Sequence, residues 1–279
     1  MIPILALLFI VIFRMTIIFF INRDIYSLLA LNRLLLRLKN HNIHVFYTQK
    51  VGPKRDLSDK LLILHNYETN WFIGKATPVG DQTPVWLRFF TFNEVKKMCV
   101  SYEQNDQPNS PEFIRRINAL APDIFISIRY GKIFREDILK IPSHGVINLH
   151  SGLLPAYRGV MPTFWAMLNN ENTIGTTLHW IDSIKIDAGP IIAQSIQNLD
   201  SDHSYLWNVI NLYPGGCNLI LDVLQQIKNG VGVTSIPQKY DGNYYSFPSQ
   251  DELDSFRKKG LCLSDLNEMD IILKQFFKL

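Results

Sequence analysis

Thr16-Ile-Ile-Phe-Phe-Ile21, read together with Ile43-His-Val-Phe-Tyr-Thr48, decides the architecture. The first stretch is apolar at every position after Thr16, the pattern of a strand covered on both faces, as strands within parallel α/β sheets are. The second is β-branched and aromatic and reads as another strand. Between them Leu28, Leu29, Leu31, Leu34, Leu35 and Leu38 recur at helical spacing. A strand, helix, strand unit joins parallel strands, and repeating it builds a doubly wound α/β sheet.

Working outward, Asp123–Ile128, Val146–His150, Ile174–Ile181 and Ile191–Gln194 supply further strands. Ser110 caps a helix with Pro111 at its first position and Phe113, Ile114, Ile117 and Leu120 on its buried face. A second helix is expected over Pro162–Asn169, with Trp165 in the core. Leu206–Gln226 is periodic but interrupted at Pro214-Gly-Gly216, which fits two helices or one kinked helix. From Gly52 to Thr91, glycines and prolines punctuate aromatic pieces, and a loop-rich insertion with one or two short strands is expected. Tyr240–Pro248 reads as a strand or hairpin before a polar helix, Gln250–Lys259. The expected division is an apolar extension, 1–14, an α/β domain, 15–232, and a small C-terminal subdomain, 233–279.

With 279 residues, 47% of them hydrophobic, the chain can bury a full core. A net charge of +3 is too small and dispersed to argue for a nucleic-acid partner. Cys99, Cys217 and Cys262 show no CxxC spacing and cannot all pair internally, which fits reduced thiols in the cytoplasm. Ile2–Phe13 is an unbroken apolar run. A signal peptide is disfavoured, because no basic residue precedes the run and no small-residue cleavage pattern follows it. Residues 2–21 approach the roughly 20 needed to span a bilayer, so membrane association is one reading, at the cost of Arg14 within the span. The favoured one starts the protein at Met15, directly before the first strand.

Side chains alternate along a strand, so Asn148 and His150 project from one face of Val146–His150. Gly152, Leu153-Leu-Pro155 and Gly159 stop that strand, leaving the pair at its carboxyl end, where open α/β sheets place ligand crevices. Asp187, before Ala-Gly-Pro190, adds a carboxylate. Taken singly, these residues read more readily as a turn cap, a core histidine and a turn-former.

Taken together, Asn148-Leu-His150, Leu153-Leu-Pro155, Tyr157-Arg-Gly159, Trp165-Ala166 and Asp187-Ala-Gly-Pro-Ile191 resemble the core of the folate-dependent formyltransferases, over about residues 122–194. The resemblance implies that 10-formyltetrahydrofolate, as co-substrate and without a metal, gives a formyl group to an amine through a tetrahedral intermediate. Asn148 would donate to the oxyanion, an interaction worth about 3 to 4 kcal/mol for one well-aimed donor. His150 would move protons between the amine and the departing folate nitrogen, and Asp187 would hold the ring or a water and stabilise the imidazolium.

By the same resemblance Tyr130, Gly131 and Ile133 belong to a loop lining the folate pocket, largely through backbone groups. Asp182 joins these cofactor-binding candidates; it opens a loop to Asp187 one residue longer than the purine-pathway pattern. Arg129 reads as a partner of the folate glutamate tail or as a solvated charge. His179 takes a structural or supporting role, and Gln194 matches the family or is a sheet-surface amide.

No glycine occurs in Asn22-Arg-Asp-Ile-Tyr26, which argues against glycinamide ribonucleotide as acceptor. Asn22 and Arg23 read as surface-turn residues or acceptor contacts. A short, near-neutral chain argues against tRNA. The favoured acceptor is a nucleotide-linked amino sugar for a surface glycan, with hydroxyornithine as another. Methionyl-tRNA formyltransferase, formyltetrahydrofolate deformylase and a non-catalytic folate binder are the alternatives, and homodimerisation stays open.

Overall fold

The computed structural model describes residues 14–49, 57–71, 89–239, 242–268 and 271–272. Strand β1 (Thr16–Asn22), helix α1 (Ile25–Leu35) and strand β2 (Asn42–Thr48) form the expected unit, with Phe19 in parallel register with Val45. Strand β3 (Ser101–Gln104) adds outside β2, while β4 (Ile124–Ile128) and β5 (Val146–His150) add on the other side of β1, all parallel. Two antiparallel strands, β7 (Thr173–Trp180) and β8 (Ile191–Asn198), complete the sheet in the order β3-β2-β1-β4-β5-β7-β8. A mostly parallel α/β sheet is thus present.

The continuous apolarity of β1 follows from its two covered faces. Ile17, Phe19 and Ile21 join the larger core, whereas Ile18 and Phe20 meet Phe46, Phe113, Ile117, Phe125, Phe134 and Ile138 on the opposite side. That second core includes helix α4 (Pro111–Asn118), which follows α2 (Asp59–Asn66) and α3 (Phe92–Met98) in the chain; Ser110 caps it as expected.

One sequence expectation changes and two open alternatives are decided. Residues 59–71 are helical: α2 runs into a π-helical turn, Tyr67–Trp71, with Leu61 and Leu64 buried one helical turn apart. The rest of the expected loop-rich insertion, residues 52–56 and 72–88, lies outside the described residues, as do residues 1–13. Among the described residues no helix is long and apolar enough to cross a membrane. Pro214 does not divide its helix; Tyr205–Lys228 is continuous. The adjoining glycines are packing positions, since a Cβ on Gly216 would lie 2.7 Å from Leu149 and one on Gly215 would lie 2.0 Å from Ser195 Oγ. The helix lies against the sheet there.

Finally, Asn243–Tyr245 takes the strand alternative. This strand, β9, pairs in parallel with β6 (Tyr157–Gly159), two residues beyond the cis Leu154–Pro155 bond. Helix α5 (Glu136–Leu139) precedes β5, α6 (Pro162–Leu168) follows β6, and α7 is Tyr205–Lys228. Helix α8 (Gln250–Lys258) packs Phe256 on Phe164 of α6, with ring centroids 4.5 Å apart. Its buried side chains belong to the same core as β1.

Candidate active site

Strand alternation places Asn148 and His150 on one face at the end of β5, and β7 brings His179 into register opposite Asn148. The loop from β7 to β8 turns at Asp187, whose backbone is left-handed with φ 52°. The three sequence-predicted groups therefore converge. Asp187 Oδ2 lies 3.5 Å from His150 Nδ1, and its Oδ1 accepts from Asn148 Nδ2 at 3.5 Å. Asn148 Nδ2 also lies 3.0 Å from His179 Nε2, and the Gly159 N–H donates to Asp187 Oδ2 at 2.9 Å. His150, His179 and Asp187 are buried, whereas Asn148 is half-buried.

Backbone carbonyls orient both rings. Tyr157 O is 2.7 Å from His150 Nε2, and Trp180 O is 2.9 Å from His179 Nδ1. A carbonyl can only accept, so these nitrogens carry the protons. His179 Nε2 then accepts from Asn148, and the nitrogen that His150 turns toward Asp187 is Nδ1. A proton taken there sits against a carboxylate. Burial alone would raise the Asp187 pKa, but its interactions with His150 and His179 and the Gly159 N–H together hold it at about 2. Asp187 is thus a permanent anion near neutral pH, suited to stabilising an imidazolium and unsuited to carrying the proton itself.

The remaining candidates are distributed differently. Ile128 is in register with Leu149, so the loop after β4 begins beside this cluster. Tyr130 packs between Phe20 and Phe134 and gives its hydroxyl to the Asn105 carbonyl. The Gly131 N–H donates to Thr48 Oγ1, and Ile133 exposes its side chain while its carbonyl accepts from Asn109. Asp182 is exposed.

Arg129 is not a solvated charge: its Nε donates to buried Asp24 at 2.7 Å, and its guanidinium lies 4.4 Å over the Tyr26 ring. Asn22 is buried, donating to Asp24 and accepting from Thr48, so it is not a surface-turn residue. Gln194 donates to the Leu154 carbonyl and to Thr177, pinning the turn after β5. The sequence reading missed the Tyr157 carbonyl and Gly159 N–H as partners of the cluster, although both lie in the Tyr-Arg-Gly run it singled out. It also missed Gln238, which donates to the Asp187 and Gly189 carbonyls.

A family model described as formyl transferase matches residues 31–205. A methionyl-tRNA formyltransferase of Thermodesulfovibrio yellowstonii is 34% identical over 155 residues, 54% of this chain and 50% of that protein. The chain spans about half the length or less of the curated relatives it matches. Among solved structures, a 4-N formyltransferase of Francisella tularensis superposes with a TM-score of 0.54 at 18% identity, covering 86% of each chain. An N-formyltransferase of Helicobacter canadensis, crystallised with folinic acid and dTDP-3-aminofucose, gives 0.54 at 18% identity over 90% of this chain and 84% of that one. These structural likenesses concern the fold.

Proposed function

The chain belongs to the formyl transferase family, and from that premise we propose that it transfers a formyl group from 10-formyltetrahydrofolate to the primary amine of a nucleotide-linked amino sugar. The observation that carries this reading is the meeting of Asn148, His150 and Asp187 at the carboxyl end of β5. As the amine adds to the formyl carbon, the former carbonyl oxygen gains negative charge, and the half-exposed Asn148 amide donates to it by giving up its long, 3.5 Å contact with Asp187 while keeping the one to His179. The amine loses a proton to His150, with Asp187 balancing the ring's charge, and the folate nitrogen gains a proton as its bond to carbon breaks. Tyr130, Gly131, Ile133 and Asp182 are proposed for the folate side; the packing of Tyr130 limits it to shaping the pocket wall.

The sugar acceptor is supported by the small net charge of +3 and by the likeness to an enzyme crystallised with dTDP-3-aminofucose. Methionyl-tRNA is the second reading, favoured by the 34% identity to a methionyl-tRNA formyltransferase. The test incubates the protein with 10-formyltetrahydrofolate and, separately, dTDP- and GDP-linked amino sugars and methionyl-tRNA. One added formyl mass on a sugar nucleotide supports the first reading, and formylation of methionyl-tRNA alone replaces it. Release of formate without any acceptor would make the chain a deformylase.

A further inference from the structure

Gln238 lies beyond the segment that carries the family's residues, yet it grips the loop that bears Asp187. Ile191 and Ile236 exchange backbone hydrogen bonds of 2.8 and 2.7 Å, which fixes the chain two residues before Gln238. A glutamine amide has two N–H groups. Two carbonyls take them, Asp187 O at 2.9 Å and Gly189 O at 2.7 Å. The first of these carbonyls belongs to a left-handed residue, Asp187 at φ 52°, a conformation uncommon for residues with a Cβ, although aspartate adopts it more readily than most. From the other side the loop presses on β7, because a Cβ on Gly189 would fall 1.9 Å from the Trp180 carbonyl oxygen.

We propose that Gln238 is a positioning residue for the reaction: by stapling the Asp187 and Gly189 carbonyls it holds Asp187 in the turn that aims its carboxylate at Gly159, His150 and His179. This rests on the function proposed above. The same C-terminal stretch reaches the cluster by a second route. Strand β9 pairs with β6, whose Tyr157 carbonyl orients His150 and whose Gly159 N–H meets Asp187, and Arg158 donates to the Gly242 carbonyl at 2.7 Å. Both the carboxylate and the imidazole are thus held by Ile236, Gln238 and the stretch 242–245.

Gln238→Met removes the two donors at nearly constant shape, and Gln238→Asn keeps the amide but withdraws it by one methylene; Gln225→Met, on the exposed side of α7, is the control. With 10-formyltetrahydrofolate and a dTDP-linked 4-amino sugar, kcat should fall about tenfold or more in both Gln238 variants, within the range for a small misplacement of a reacting group, with both KM values within about twofold. Independently of turnover, 15N spectra of the histidine rings in the free protein should show His150 and His179 displaced in the Gln238 variants and unmoved in the control. Unchanged His150 and His179 resonances in folded variants overturn the proposal, as does global unfolding of both, which would make Gln238 a structural residue. If the unaltered protein formylates no acceptor, the functional reading fails, and the ring spectra still decide the role of Gln238.

Discussion

Two clusters of buried charge lie at the same end of this sheet, and they behave in opposite ways. In one, Asp187 faces two imidazoles and a backbone N–H and is held at about 2. In the other, Glu68 accepts from the Tyr26 hydroxyl at 2.9 Å and lies 3.9 Å from Arg129, yet it is pushed up to about 7. Burial drives that rise; Arg129 opposes it, but its closer partner is Asp24, whose negative charge repels Glu68 in turn. One guanidinium is shared by two carboxylates. A protonated Glu68 leaves the group neutral, which a dry interior favours. Burial and perturbed ionisation therefore do not by themselves mark an active site. The β5 cluster differs in containing imidazoles and in a half-exposed amide at its mouth.

The largest effect that would break this contrast belongs to the first cluster. His150→Ala should lower formyl transfer per folded molecule about 10²- to 10⁴-fold, the range for a positioned acid or base; unchanged turnover would remove His150 from the chemistry. Arg129→Met should do the reverse. Two carboxylates would be left buried without their cation, and a loss of about 3 to 5 kcal/mol is expected in urea unfolding, with activity per folded molecule retained.

The pH dependence sharpens the contrast further. Glu68 has its folded pKa raised from an ordinary 4.5 to about 7, so its contribution is complete below pH 4.5 and is lost as pH climbs through 7, by about 3 kcal/mol. Glu68→Gln should flatten stability measured across that window. Asp187 has its folded pKa lowered from 3.8 to about 2, so its contribution is present above pH 3.8 and is lost as pH falls through 2, by about 2 kcal/mol. Asp187→Asn should remove that part of the acid limb, and an unaltered limb would show that the carboxylate is not held as described.

Much of this was legible in the chain itself. Period two along Val146–His150 put Asn148 and His150 on one face, and the two-faced burial of Thr16–Asn22 was readable from its apolar run. Arg129 misled, because a charge after a strand end looks the same in sequence whether it meets solvent, ligand or a carboxylate 105 residues away. Pro214-Gly-Gly216 left one helix or two open for a related reason. Residues that break an isolated helix are tolerated where tertiary packing supports it, and small ones are required where it touches the sheet.

Local order marked most strands of the sheet, the capped helix at Ser110 and the face shared by Asn148 and His150, because side-chain alternation and capping depend on neighbours along the chain. Tertiary structure alone decided that His179 would lie 3.0 Å from Asn148, that Glu68 and Asp24 would share Arg129, and that Gln238 would grip the turn at Asp187. Each of these joins residues far apart in sequence, and their hydrogen bonds and charges act through distances that only the folded chain sets.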